Sequence, residues 1–423
     1  MSRCRSALPV LLAAGSLPGL AWGQVPLGAE FRVNAYTTGQ QTRPSVASGS
    51  DGRFAVVWQS QGQDGSGYGV YLRRHDASGA PLSLADFRVN TYVTGDQDRP
   101  AVASDPTGRL VVAWRSALQD GDGDGVFARQ YNTSGVGGAA FQVDAYTTGR
   151  QTYPAVAMHG SGAYVVAWNS DGQDGSGLGV FARRYDAAGT PGGEFMVNLH
   201  TRFGQTYPSV AMDAPGNFVV VWQSHHQYGD ANYGAFGRRY NATGIPQASE
   251  FLVNSYTTDD QLVPSVALEP GGNFVVVWSS TGQDGSGRGV FGQRFNVSGS
   301  PRGAEFQVNL YTTGDQVRAK VAADADGNFV VVWQSLGQDG NLEGVFGRTY
   351  DASGEPRGSE FKVNSHTTGQ QIWASVSSSA TGTFVVAWRT AGIGQDGSGS
   401  GIYAQRFKPD VIFADGFDSD DVI

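Results

Sequence analysis

The 423-residue chain carries a single cysteine, Cys4, which excludes a disulfide scaffold. Charged residues make up only 16%, Lys and Glu are few, and 61 positions are glycine, which argues against a coiled coil or helical array. Beyond the N-terminal stretch no apolar run is long enough to cross a bilayer, so no integral membrane segment is expected once that stretch is cleaved. No basic tract offsets the formal charge of −9, and nucleic acid is therefore not an expected partner. G-x-S-x-G, P-loop and H-E-x-x-H motifs are absent as well. What is present is 40% hydrophobic, too much for a disordered chain.

Residues 1–23 place Arg3 and Arg5 before an apolar stretch from Ala7 to Trp22 that finishes in small residues, the pattern of a secretory signal peptide. Its removal takes Cys4 with it, and loss of the two arginines moves the formal charge from −9 to −11. The expected location is secreted, periplasmic or cell-surface, and an exported chain without cysteine must be stabilised by packing. Residues 408–423 form an acidic C-terminal tail whose Phe413-Ala-Asp-Gly-Phe417 is similar to short tails closing secreted proteins of gamma-proteobacteria.

Between the ends one phrase recurs seven times, beginning at Phe31, Phe87, Phe141, Phe195, Phe251, Phe306 and Phe361 and reading Phe-Xaa-Val-Asn or Asp. A second phrase ends in Trp58, Trp114, Trp168, Trp222, Trp278, Trp333 and Trp388. The period is close to 55 residues, and residues 24–407 hold seven copies. Each copy contains four short runs rich in Val, Phe, Tyr and Trp, bounded by Gly, Asp, Ser or Pro. In the first they are Phe31 to Asn34, Ser45 to Ser48, Phe54 to Gln59 and Val70 to His75. A lone four-stranded sheet cannot bury both faces, whereas seven packed radially can. The expectation is an all-β, seven-bladed β-propeller with four antiparallel strands per blade, in which the stretch at Phe31 closes the last blade beside Ile402 to Phe407. An open string of small β-domains is the rival, and in that case the chain ends would not pair.

In this order two polar loops emerge on one face. One carries the recurring glutamine (Gln41, Gln97, Gln151, Gln205, Gln261, Gln316, Gln371), and the other carries a recurring aspartate in Gly-Gln-Asp-Gly-Ser-Gly (Asp64, Asp174, Asp284, Asp339, Asp396). The alternation of these phrases resembles repeats of large secreted bacterial proteins, including calcium-binding surface proteins of the RTX type. The resemblance implies an exported or surface-associated β-protein and a link to calcium; the RTX nonapeptide itself is absent. An aspartate in such a turn bonds its own backbone amides, and the glutamine ties the two loops, so both belong to the framework. The seven tryptophans read as wedges between blades, and Arg73, Arg129, Arg183, Arg238 and Arg348 as an outer, solvated stripe.

Positions that break the repeat are the candidates for function. Two residues after the glutamine the copies differ: Arg43, Arg99, Tyr153, Tyr207, Val263, Arg318 and Trp373. Tyr153, Tyr207 and Trp373, with Arg43, Arg99 and Arg318, are the expected ligand-binding set, as stacking platforms for sugar rings or anchors for a protein surface. Asp96, Asp98, Asp120, Asp122 and Asp124 alternate with other residues as half of a calcium loop would, although Tyr131 stands where its bidentate Glu belongs. They are the expected metal ligands, with a merely acidic turn as the alternative. His200, His225 and His226, with Tyr228 and Asp230 nearby, could hold zinc or could simply fill aromatic slots.

The innermost strands offer Ser, Val and Ala, with Lys320 the only obvious charge, so no facing carboxylate pair is expected in the channel. The turns do not match the sialidase box, because Trp follows the glycine by six residues instead of three. The expectation is therefore a monomeric, exported, non-enzymatic protein recognising carbohydrate or another extracellular ligand. The alternatives are an adhesion module binding another protein, and a hydrolase whose site is not recognisable from motifs.

Overall fold

In the computed structural model the described residues are 24–227, 232–392, 395, 397 and 399–408. The expected leader 1–23, the tail beyond Lys408, and Tyr228, Asp230 and Asp396 lie outside them. Among the described residues every regular element is a strand, so no helix is long and apolar enough to cross a membrane.

Twenty-eight strands form seven four-stranded antiparallel sheets. In the first blade the order from axis to rim is Gln41–Ser48, Phe54–Gln61, Tyr68–His75 and Phe87–Arg88, the last belonging to the next copy's opening phrase. The seventh runs Gln370–Ser378, Phe384–Ala391, Ser400–Phe407 and then back to Phe31–Arg32. Phe31 pairs with Ala404 and Arg32 with Tyr403. Closure is reinforced where Val33 N donates to Ile402 O at 2.8 Å and Ile402 N to Asn34 Oδ1 at 2.7 Å. The ring is thus a seven-bladed β-propeller, and the open string is excluded by the paired ends.

Blades adhere through seams of alternating large and small apolar groups. Val57, Val70, Leu72 and Val89 of the first blade pack on Trp114, Phe127 and Tyr131 of the second, and the same arrangement recurs around the ring. All seven tryptophans are fully buried there, as expected of wedges.

The arginine stripe is corrected. Each of these guanidiniums reaches back to the preceding blade and donates to the carbonyl of its outer Val: Arg73 to Val33 (2.7 Å), Arg129 to Val89 (3.0 Å), Arg183 to Val143 (2.7 Å), Arg238 to Val197 (2.9 Å) and Arg348 to Val308 (3.1 Å). Strand alternation shows which side of a sheet a residue occupies; it does not show that a neighbouring blade presents an unpaired carbonyl there.

On the loop face, Asn90 Nδ2 donates to Gln97 Oε1 at 3.1 Å and to Asp64 Oδ2 at 3.4 Å, while its Oδ1 accepts from Val70 N at 2.8 Å. Gln97 donates in turn to Thr94 O at 3.0 Å. The recurring Asn, Gln and Asp therefore lock the loops to one another, as a framework role requires.

Candidate functional site

The innermost strands begin earlier than the sequence suggested, at the recurring glutamine, because each continues across a bulge. Thr42 pairs with Gln59 but Ser45 with Val57, and all seven strands repeat this one-residue shift. The first residue past the shift is the variable one. Arg43, Arg99, Tyr153, Tyr207, Val263, Arg318 and Trp373 all take left-handed φ values, between 51° and 57°. For non-glycine residues this costs about 1–2 kcal/mol each, and it is most unusual for β-branched Val263.

Two features hold the strained geometry. Five of the seven residues precede a proline (Pro44, Pro100, Pro154, Pro208, Pro264), which has no N–H to lose from the interrupted ladder. The preceding blade supplies an acceptor for several of the displaced amides: Gln59 Oε1 to Arg99 N at 2.9 Å, Gln223 Oε1 to Val263 N at 2.9 Å, Ser279 Oγ to Arg318 N at 3.1 Å and Gln334 Oε1 to Trp373 N at 2.7 Å. Strain maintained at seven equivalent points and aimed at one place is the mark of a built site.

That place is a cavity of about 340 Å³ on the axis, open on the loop face, and all seven residues line it. The six expected ligand residues, drawn from six different blades, meet here. Tyr153 and Tyr207 touch at their hydroxyls, 3.2 Å apart, with ring centroids at 4.5 Å. The Arg99 guanidinium lies 3.8 Å from the Tyr153 ring centre. Burial alone would raise the Tyr153 phenol, but the hydrogen bond with Tyr207 and the charges of Arg99 and Arg43 outweigh it and bring it below its ordinary value. Tyr207 moves the other way, raised by burial and by Tyr153. Trp373 is held between two cations, Arg43 at 4.8 Å and Arg389 at 5.1 Å from its ring, so its π face is already occupied.

Lys320, expected as the one charge of the innermost strands, and Arg389, which was not expected here, both belong to this region. Lys320 pairs with Val332 at the position filled by Ser45, Ala101, Ala155, Ser209, Ser265 and Ser375 in the other blades, and it lines the cavity. Burial, and next the charge of Arg318, lower its ammonium to about 8. Its departure from a ring of small residues was visible in the sequence; its proximity to the variable arginines depended on the bulge.

The five aspartates do not gather into an oxygen cage. Both oxygens of Asp98 accept from Arg115, at 2.6 and 2.7 Å, and Asp124 accepts from Arg115 at 3.1 Å and Arg150 at 2.9 Å. Asp96 accepts Tyr68 N at 2.9 Å, Asp120 accepts Asp122 N at 3.4 Å, and Asp122 accepts Gly149 N at 3.3 Å. Arg115 is the missed element: it follows the repeating Trp, where Gln59 and Gln223 stand in other blades. Asn198 Nδ2 donates to His200 O at 2.8 Å just as Asn34 donates to Tyr36 O, so His200 fills the aromatic slot. His225 stacks on Tyr233 (4.5 Å) and His226 lies against Phe203 (4.6 Å). Among the described residues no three His, Cys, Asp or Glu side chains are placed to hold a metal ion.

No family model matches the chain, and no curated protein matches it. Among solved structures it is similar to a protein of unknown function from Dyadobacter fermentans (TM-score 0.55, 10% identity, covering 91% of this chain and 98% of that one). It is also similar to the α-L-arabinofuranosidase Arb93A from Fusarium graminearum (TM-score 0.48, 12% identity, 92% and 98% covered). A third is the Hadza microbial sialidase Hz136 (TM-score 0.45, 12% identity, 80% and 73% covered). At these identities the likeness is one of fold.

The expectation of a non-enzymatic binder is corrected here. It rested on a channel lined by Ser, Val and Ala with Lys320 as its only obvious charge, whereas the bulges add two tyrosines, three arginines and a tryptophan at the axis.

Proposed function

We propose that the chain is an exported carbohydrate-active hydrolase whose substrate enters the axial cavity on the loop face, with Tyr153 as the reacting group. The observation that carries this reading is the pair of phenols at 3.2 Å whose proton affinities are driven apart, Tyr153 down and Tyr207 up. Such splitting is how a fold prepares one member of a pair to react while the other keeps its proton. Tyrosine is a known nucleophile in glycoside hydrolysis, outside the commoner two-carboxylate scheme. Export is supported by Arg3 and Arg5 ahead of the apolar stretch Ala7 to Trp22.

Tyr207 donates a hydrogen bond to Tyr153 Oη, and Arg99 over the ring favours the phenolate form in which Tyr153 attacks. A bond from Tyr153 Oη to the anomeric carbon forms as the bond to the leaving sugar breaks. The departing oxygen takes a proton from water, leaving hydroxide. Hydroxide then cleaves the tyrosyl glycoside and restores the phenolate, so that one water is consumed per bond broken.

The test is release of nitrophenol from a panel of aryl furanosides, hexosides and acidic glycosides. Turnover of at least one of them, reduced roughly 100-fold or more in Tyr153→Phe, is expected. Absence of turnover across the panel, or turnover untouched by that substitution, would overturn the reading.

A further inference from the structure

We infer that the sugar taken by this cavity carries an oxyanion group, a carboxylate or a sulfate ester, which descends the axis onto Lys320 between Arg43, Arg99 and Arg318. The inference rests on the reading of the cavity as the substrate site and gives that site its substrate class.

The chain is acidic, with 38 Asp and Glu against 29 Lys and Arg, yet the residues lining the cavity include three arginines and a lysine and no carboxylate. Many cations elsewhere have polar partners: the arginine clamps hold carbonyls, Arg115 holds Asp98 and Asp124, and Arg288 holds Asp315 at 2.9 Å. At the axis Arg43 lies over Trp373 and Arg99 over Tyr153, and no carboxylate lines the cavity. Among the described residues Arg43, Arg318 and Lys320 make no ion pair and no side-chain hydrogen bond to protein, and Arg99 Nε and Nη1 are buried with no partner. The carboxylate beside Arg99 is Asp98, at 3.9 Å, and it is already committed to Arg115. Buried donors without acceptors carry a desolvation cost that a bound oxyanion removes, and guanidiniums match its oxygens in pairs.

The cations also oppose one another. Burial and then the charges of Arg99 and Arg318 hold Arg43 below its ordinary value, so an anion placed among them relieves repulsion as well as satisfying donors. Lys320 marks the depth of the site. It fills the lumen where six blades leave space, and residues at the channel's other mouth, Met158, His159 and Met212, line a separate cavity. The ligand therefore enters from the loop face with its anion leading.

The titratable and charged groups lining the cavity with Lys320 are Arg43, Arg99, Arg318, Tyr153 and Tyr207. An anion favours the ammonium form, so affinity should be greatest below about pH 8 and fall above it as Lys320 loses its proton. Tyr153→Phe separates any contribution from that phenol.

The experiment is calorimetric titration of the full chain with methyl glucuronide, glucose 6-sulfate and neutral methyl glucoside, at pH 7 and pH 9, with Lys320→Ser alongside. Serine is the residue of four other blades at this position, so the fold is expected to persist. At pH 7 a charged sugar should bind roughly tenfold or more tighter than the neutral one. Lys320→Ser should remove most of that preference and the loss of affinity at pH 9. Preference for the glucuronide identifies carboxylate, and preference for the sulfate identifies the ester. Equal binding of neutral and charged sugars, no binding of any, or a preference untouched by Lys320→Ser would overturn the inference. Charged sugars that bind while no glycoside is cleaved would leave it standing and remove the hydrolase reading. Cleavage confined to neutral glycosides would do the reverse.

Discussion

The seams between blades and the bulges at the axis are both built seven times, yet they vary in opposite ways. At the seams the same tryptophan returns in every copy and is buried to the same degree. At the axis the backbone is constant, with one bulge and one left-handed residue per blade, while the side chain it presents is Arg, Tyr, Val or Trp. A seam is a packing problem with one good solution, so its residue is fixed by volume. The bulge is costly in backbone terms but accepts Arg, Tyr, Trp and even Val, so the seven positions are open to being chosen for chemistry. That contrast separates framework from site without reference to any relative.

The contrast can be broken at three points of decreasing size. Trp222→Ala removes a fully buried wedge and should cost about 3–5 kcal/mol in denaturant unfolding, whereas Tyr207→Ala at the axis should cost far less. Equal losses would mean that the axial residues are framework after all.

His75 offers the next test. It occupies a seam slot held by Tyr131, Tyr185, Tyr240 and Tyr350 in other blades, stacked on Phe54 at 4.8 Å. Burial, and then the charge of Arg73, lower it to about 4 from an ordinary 6.5. The unfolded chain therefore binds this proton at higher pH than the folded one. Stability should be full above about pH 6.5 and fall as the pH drops toward 4, by up to roughly 3 kcal/mol. Unfolding curves at pH 7 and pH 4.5 should show the loss in the native chain, and His75→Tyr should lose less.

The smallest effect has the opposite sign. Val263→Gly relieves a β-branched residue at φ 52° and should raise stability by up to about 1 kcal/mol in the same denaturant measurement. The same exchange at Val221, in the seam, should destabilise.

Most of the architecture was legible because a period near 55 residues repeats both its strand phrases and its turn residues. Ring closure followed from counting which strand each copy lacked. The inner strands were read too short because Thr42-Arg43-Pro44 looks like a loop; proline normally ends a strand, and only the bulge makes room for it. The arginine clamps were misread because their acceptors lie in another blade, about forty residues away in sequence. The six axial residues were legible as the variable members of an invariant frame. Their meeting with Lys320 was not, since that depends on a one-residue register shift that moves side chains between faces. The aspartate run looked like a cation loop because nothing in its spacing revealed that Arg115 would occupy its oxygens.

The central claim is that Tyr153 is the group that reacts. It is tested most directly by treating the protein with an activated 2-fluoro uronide and its neutral counterpart, whose glycosyl intermediates hydrolyse slowly, and mapping the peptides after an acid quench. The account predicts one sugar added to the peptide holding Tyr153, more from the uronide than from the neutral sugar, and none in Tyr153→Phe. Substrate turnover without an adduct, or an adduct that survives that substitution, would contradict it.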